Sequence, residues 1–313
     1  MKANRLPILL LLFVATLVMA AGFDYGLKPL AVAKDVYVFP GRNEDFNFNN
    51  GGNIVNTGFI VTADGVVVID SGPSLRYGQQ MRAAIATVSD KPILRVFNTH
   101  AHPDHFLGNQ AFPANTLYAL PGARQQMLKE GNAFAENMYR LNGDWMKDTE
   151  AKAPEQDAQA GRLNLGGHTL ELIALEGHTS SDLAVYDHSS GVLFAGDLVF
   201  NGRAPTTPHA HIERWLAALD RLEAITQEPG FTRLVPGHGP VSTDAAPIRQ
   251  TRRYLQWLVR TVNEGAEHGE DMNEVMAHAK PEEFKDMAVI TSEYRRSVGH
   301  LFPAAEQAAL KAR

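Results

Sequence analysis

A layered α/β fold, with two β-sheets packed face to face, helices on the outside and a helical tail, is what this sequence predicts. Three observations carry the prediction. Runs of β-branched residues bounded by turn signals occur twice, and each round is followed by segments with helical spacing of apolar residues. Beyond Ser242 nearly the whole chain is helical in pattern. The composition, 313 residues with 44% hydrophobic, 20% charged, 26 Gly and 17 Pro, is that of a folded globular chain and excludes collagen-like, coiled-coil and disordered ones.

Taken in order, Val36 to Phe39 and Asn53 to Asp70 read as β-structure. Gly58 to Thr62 and Val66 to Asp70 are β-branched runs joined by the turn Ala63-Asp64-Gly65. From Ser74, a ready N-cap, the period changes: Tyr77, Met81, Ala84, Ile85 and Val88 recur on one helical face. Ile93 to Asn98 follows as a short buried strand. A helix over Pro121 to Met146 carries Met127, Phe134, Met138, Leu141 and Trp145 along one side, and the polar stretch Lys147 to Gly161 reads as a surface connection. The second β-series is a hairpin around Gly166-Gly167, then Leu183 to Tyr186 and Val192 to Ala195. Trp215, Leu216, Leu219, Leu222 and Ile225 mark a further amphipathic helix, and Leu234 to Pro236 a last strand. The tail is helical over Ile248 to Val262, over Met272 to His278, and in pieces from Glu282 to Ala312 broken at Pro303. No repeat of 20 to 50 residues is present.

The formal charge of −6 gives no electrostatic reason to expect nucleic acid as a partner. Zero cysteines exclude a disulfide framework, a thiolate nucleophile and a zinc–thiolate site, so any metal must be held by the 12 histidines and by carboxylates. The first residues read as a secretory signal peptide: Lys2 and Arg5 are basic, Ile8 to Val18 apolar, and Met19 to Gly22 a small-residue cleavage zone. The apolar run is short for a membrane span, which needs about 20 residues. The expected organisation is therefore a signal peptide at 1–21, a catalytic sandwich at 22–260 and a C-terminal helical extension at 261–313, with a periplasmic or secreted location and a mature charge of −8 once Lys2 and Arg5 are removed.

The chemistry starts where the Ile93 to Asn98 strand stops. Thr99-His100-Ala101-His102-Pro103-Asp104-His105 packs three imidazoles and a carboxylate into six residues, a cluster suited to metal binding. His100 and His102, two apart on an extended segment, point the same way and can grip one ion, while Asp104 and His105 sit past a turn and face a neighbouring one. Three other strand ends offer one ligand type each after a glycine: His178 in Glu176-Gly-His-Thr179, Asp197 in Ala195-Gly-Asp-Leu198, and His238 in Pro236-Gly-His-Gly239. His209 and His211 form a further pair after Asp197; they read as a loop entering a helix, with His209 as a substrate contact. His168 and His188, near turns, are expected to be exposed, and Trp145, Trp215 and Trp257 to pack in the core. Asn43 to Asn53, with Phe46 and Phe48, is a loop able to cover the site.

In this order, Asp70-Ser-Gly72, the HxHxDH cluster, His178, Asp197 and His238, the chain resembles the metallo-β-lactamase superfamily over roughly Val36 to Val241. The resemblance implies an αββα sandwich of the metallo-β-lactamase type with its metal site at the sheet edge. It implies that His100, His102 and His178 bind a first ion, that Asp104, His105 and His238 bind a second, that Asp197 bridges them, and that Asp70 orients the metal loop by hydrogen bonding. Asn53 to Val61, Ser74 to Gly78, Gly196 to Arg203 and the leader resemble an exported subgroup, the quinoprotein relay system zinc metallohydrolases (SoxH-like), which implies a periplasmic accessory enzyme with a quinoprotein dehydrogenase system as partner and no particular substrate; a small-molecule substrate is expected.

Two cations about 3.5 to 4 Å apart acidify a bridging water from a pKa near 16 towards about 7 and supply hydroxide at neutral pH. The expected function is thus an exported Zn2+-dependent hydrolase of an ester, thioester, amide or lactam bond, with two zinc ions, or iron or manganese in their place, and with Asp104 moving the proton. Three other readings compete with it. They are a mononuclear iron enzyme of the persulfide dioxygenase type, a metallo-β-lactamase, and a non-catalytic accessory protein of a quinoprotein system. The complete ligand set, Asp104 and Asp197 included, argues against the last, and the cysteine-free lactamases do not generally use a bridge like Asp197.

Overall fold

The computed structural model describes residues 22–312; the signal peptide expected at 1–21 lies outside them. Seven strands form the first sheet: β1 (Leu30–Ala33), β2 (Val36–Phe39), β3 (Thr57–Val61), β4 (Val66–Ile69), β5 (Ile93–Phe97), β6 (Leu117–Ala119) and β7 (Gln156–Asp157), side by side in chain order. Pairing is antiparallel as far as β4 and parallel from β4 to β7. Helix α1 (Leu75–Ala86) makes the crossover from β4 to β5, and its start is fixed by the expected cap, Ser74, whose hydroxyl accepts from the Tyr77 amide. The short helix α2 (Pro103–Phe106) and the long α3 (Pro121–Asn142) follow β5 and β6.

The second sheet has five strands, β8 (Gly161–Leu165), β9 (His168–Leu175), β10 (Asp182–Asp187), β11 (Val192–Phe200) and β12 (Arg233–His238), ordered β12-β11-β10-β9-β8. Helix α4 (Ile212–Ile225) links β11 to the parallel β12, and α5 (Ala246–His268), α6 (Met272–Ala277) and α7 (Ile290–Ala312) complete the chain.

Period-2 alternation explains the layers. Val67 and Ile69 of β4 meet Leu172, Leu183, Val185 and Phe194 of the other sheet in the central layer, whereas Val66 and Val68 face Tyr77, Met81 and Ile85 of α1. On the far side of the second sheet, Leu193 and Ala195 pack with Trp215 and Leu219 of α4, with Leu255 and Leu258 of α5, and with Val298 and Phe302 of α7. The order helix, sheet, sheet, helix is the αββα sandwich.

Several elements depart from the sequence reading. Strand β1 was not foreseen, and β7 lies inside the stretch read as a surface connection: two exposed edge residues give no alternation to detect. Helix α3 stops at Asn142, and Trp145 belongs to a following 3-10 turn, Gly143–Met146. Pro303 does not break the tail. Helix α7 runs through it, because a proline there removes one backbone donor while buried Val298 and Phe302 anchor the turns before it. His168 is buried, with Nδ1 2.8 Å from Asp187 Oδ2, and His188 is half-buried with Nε2 2.8 Å from Glu171 Oε2, so a carboxylate partner compensates each. All three tryptophans are buried, as expected. Among the described residues, no helix is long and apolar enough to cross a membrane.

Candidate metal centre

Strand ends from both sheets meet on one rim. The run after β5 carries His100 and His102, and α2 presents Asp104 and His105. The turn after β9 carries His178, and His238 closes β12. Asp197 lies inside β11, not beyond its end: Gly196, at φ +52°, interrupts the register with β12 and turns the next side chain into the rim. Gly237 lets β12 pass beside it, since a Cβ there would collide with Asp197 Oδ1 and the Gly196 backbone.

All seven residues come together. His100, His102, His178 and Asp197 place one ligand atom each within 4.8 Å of one another, and Asp104, His105 and His238 do the same. Asp197 stands between the two groups: its Oδ2 is 3.3 Å from His178 Nε2 and 3.2 Å from His238 Nε2, and its Oδ1 is 3.1 Å from His105 Nε2. His102 Nδ1 is 2.8 Å from His178 Nε2, and Asp104 Oδ2 is 3.4 Å from His238 Nε2.

The packing leaves this knot unsatisfied. His100 Nε2 and Asp104 Oδ2 are buried without a hydrogen-bond partner, and His105 Nε2 and Asp197 Oδ1 approach each other at 3.1 Å without the alignment of a hydrogen bond. Buried polar groups are normally paired, and an orphaned set of imidazole nitrogens and carboxylate oxygens aimed at shared points is what divalent cations satisfy. Burial holds His100 and His102 well below the ordinary imidazole value, with neighbouring imidazoles adding to the effect, and His178 is lowered to about 4. These three are neutral and ready to ligate at neutral pH. His105 differs: burial pulls it down, but Asp197, Asp70 and Asp104 outweigh burial and hold it well above the ordinary value. Burial pushes the Asp104 carboxyl up against His105 and His238, whereas for Asp197 those two histidines overcome burial and keep it ionised.

The supporting shell is built from backbone and carboxylates. Asp70 ends β4 in the left-handed region, φ +58°, and reaches the metal loop three times. Its Oδ2 is 2.8 Å from His105 Nδ1 and accepts from Thr99 Oγ1 at 2.9 Å, and its Oδ1 accepts from the Thr99 amide at 2.8 Å. His238 Nδ1 is 2.8 Å from the Ile54 carbonyl. Asp182 accepts from the Thr179 amide and hydroxyl, fixing the His178 turn, and burial pushes its carboxyl up to about 7. His209 lies on the segment before α4 with Nδ1 2.8 Å from His102 Nε2, and His211 immediately precedes that helix.

A cavity of about 170 Å3 opens over the rim, walled by Asp104, Asp197, His238, His209, Phe46 of the 43–53 loop and Phe134 of α3. Four charged residues of its lining were given no role by the sequence reading: Asp45, within the loop read as a cover, and Arg203, Glu293 and Arg296. The last two come from α7, and nothing in an amphipathic pattern separates an Arg or Glu on the solvent face from one turned into a cavity. Arg203 ends the run Gly196 to Arg203 already singled out, but its burial depends on a bridge between Arg203 and Ala288 of the tail.

The sequence profile of the metallo-beta-lactamase superfamily matches residues 50–238. The acyl-coenzyme A thioesterase MBLAC2 of Bos taurus is 26% identical over 219 residues, 61% of this chain and 75% of that protein. A hydroxyacylglutathione hydrolase of a Cyanothece species is 31% identical over 118 residues, 35% of this chain and 37% of its own length. Among solved structures, a beta-lactamase domain protein from Burkholderia ambifaria superposes with a TM-score of 0.64 at 19% identity, covering 91% of this chain and 88% of that one. The sandwich, the convergent His/Asp rim and the profile match agree: the chain belongs to the metallo-beta-lactamase superfamily of metal-dependent hydrolases.

Proposed function

We propose that this chain is an exported zinc hydrolase that cleaves a small ester or thioester. The observation that carries the reading is Asp197, placed between a group that brings three histidines, His100, His102 and His178, and a group with the carboxylate Asp104. These residues would hold divalent cations, which would supply an acidified water and polarisation of a carbonyl oxygen. The chain's own residues do the rest. Neutral His100, His102 and His178 offer lone pairs, Asp70 and the Ile54 carbonyl hold His105 and His238 in orientation, and Phe46 and Phe134 form an apolar part of the cavity wall beside the rim. Asp104, with its carboxyl raised by burial and Oδ2 unpartnered, is the group placed to hold the proton in transit. Two relatives named for the hydrolysis of acyl compounds, the thioesterase and the hydroxyacylglutathione hydrolase, support an acyl substrate.

Elemental analysis of the purified protein with a panel of ester, thioester and lactam substrates tests the reading. Two zinc equivalents and turnover abolished by Asp104→Ala and by His178→Ala are expected. One iron with oxygen uptake would overturn it. Export rests on the basic and apolar residues of 1–21, and the resemblance to the quinoprotein-associated subgroup supports a periplasmic setting. A mature protein recovered from periplasmic extract with its N-terminus near Gly22 is the expected result; retention of residues 1–21 would refute processing.

A further inference from the structure

The cavity over the rim is closed on one side by charged groups that the metal ligands do not use. Arg203 is only 2% exposed; one guanidinium nitrogen donates to the Glu44 carbonyl, and its Nε–H is buried without an acceptor. Glu293 is 0% exposed; its Oε1 accepts from Arg296 Nη1 at 2.8 Å, Thr206 hydrogen-bonds to the side chain, burial pushes the carboxyl up while Arg296 and Arg203 pull it back down, and Oε2 is left without an aligned donor. Both residues line the same cavity as Asp104, Asp197 and His238. A buried charged donor and a buried charged acceptor, both left open beside a reactive centre, mark a place for a ligand that carries the complementary pair.

Charge decides which pair. Arg203 and Arg296 are matched by Asp45 and Glu293, so the wall is formally neutral. A lone carboxylate would satisfy Arg203 and set a second negative charge beside Glu293; a lone ammonium would do the reverse beside Arg203. A group with both charges on one carbon is the smallest that answers both open valences and leaves the sum at zero. We propose that Arg203, Glu293 and Arg296 form a recognition subsite for an α-amino-acid head group, its carboxylate on the Arg203 Nε–H and its ammonium on Glu293 Oε2. The substrate class follows, and rests on the hydrolase reading above: an ester or thioester with a zwitterionic end a short spacer away from the scissile bond.

The test uses the zinc-loaded full chain and S-acetyl thioesters of four thiols that share one butyl spacer. Their far ends are an α-amino-acid group, an ammonium alone, a carboxylate alone, or a methyl. The amino-acid probe is expected to exceed each of the other three at least tenfold in kcat/KM. Glu293→Gln is expected to erase its advantage over the carboxylate probe, and Arg203→Lys its advantage over the ammonium probe. Because variants are compared as ratios between probes, partial loss of folded enzyme cancels. Hydrolysis of all four at similar rates, a carboxylate or ammonium probe equal to the zwitterion, or variants that keep wild-type ratios would overturn the subsite while the hydrolase reading stands. Hydrolysis of none overturns both.

Discussion

The imidazole of His105 sits among three carboxylates, and that fixes how the centre responds to protons. With its value held well above that of a free histidine, it carries a proton at neutral pH, and ligation needs the lone pair that this proton occupies. Metal loading at pH 7 is therefore expected to release about one proton per chain. Titration calorimetry in buffers of different ionisation heat measures it, and a release indistinguishable from zero contradicts the assignment. His209 makes a second prediction. His102 turns Nδ1 towards His178, so a metal-ligating His102 keeps its proton on Nε2 and donates it to His209 Nδ1. His209→Ala is expected to weaken metal affinity by roughly 10- to 100-fold in chelator competition, with partial recovery in His209→Gln, which restores an acceptor. That the six-residue cluster and the three glycine-preceded residues His178, Asp197 and His238 converge was legible in the sequence because metal-binding patterns concentrate rare side chains. The environment of Arg203 was not, because burial of a guanidinium is decided by a distant segment.

At the level of elements, the close approach of β11 and β12 places Asp197. Gly237→Ala is expected to remove metal binding and to cost stability, because the added methyl meets the Asp197 carboxylate and the Gly196 and Asp197 backbone. Far-ultraviolet circular dichroism beside metal content measures both; wild-type stoichiometry in the variant would show that the strands separate without cost. Hairpins and caps were legible here because their signals are local: Ala63-Asp-Gly65, Gly166-Gly167 and the Ser74 hydroxyl each act within four residues. Asp197 was assigned past the end of a strand that in fact continues through it, since a bulge is a property of two paired strands and one sequence shows only one of them.

For the whole molecule, the centre lies where both sheets and the tail meet, so loading and stability are linked. Chelation is expected to lower the unfolding free energy by about 4 kcal/mol relative to protein with free metal at 1,000 times Kd, read as a fall in Tm. Asp182 sets a pH dependence in the metal-free protein. Its carboxyl is raised to about 7 in the fold against about 4 unfolded, so its contribution is full below pH 4 and is lost as pH rises through 7. Between those values wild type is expected to lose Tm relative to Asp182→Asn, and parallel curves would refute the shift. The four-layer order was legible because two rounds of strands and helices admit few packings.

The backbone ladder between Gly202, Arg203, Ala204 and Ala288 also bears on biosynthesis. All seven candidate ligands have been translated by His238, yet one wall of the reaction chamber arrives only with Glu293 and Arg296, more than fifty residues later. A chain cut off in this stretch would carry every candidate ligand yet lack both that wall and the Val298 and Phe302 side chains that cover the second sheet, so the tail ties completion of the chamber to completion of the core.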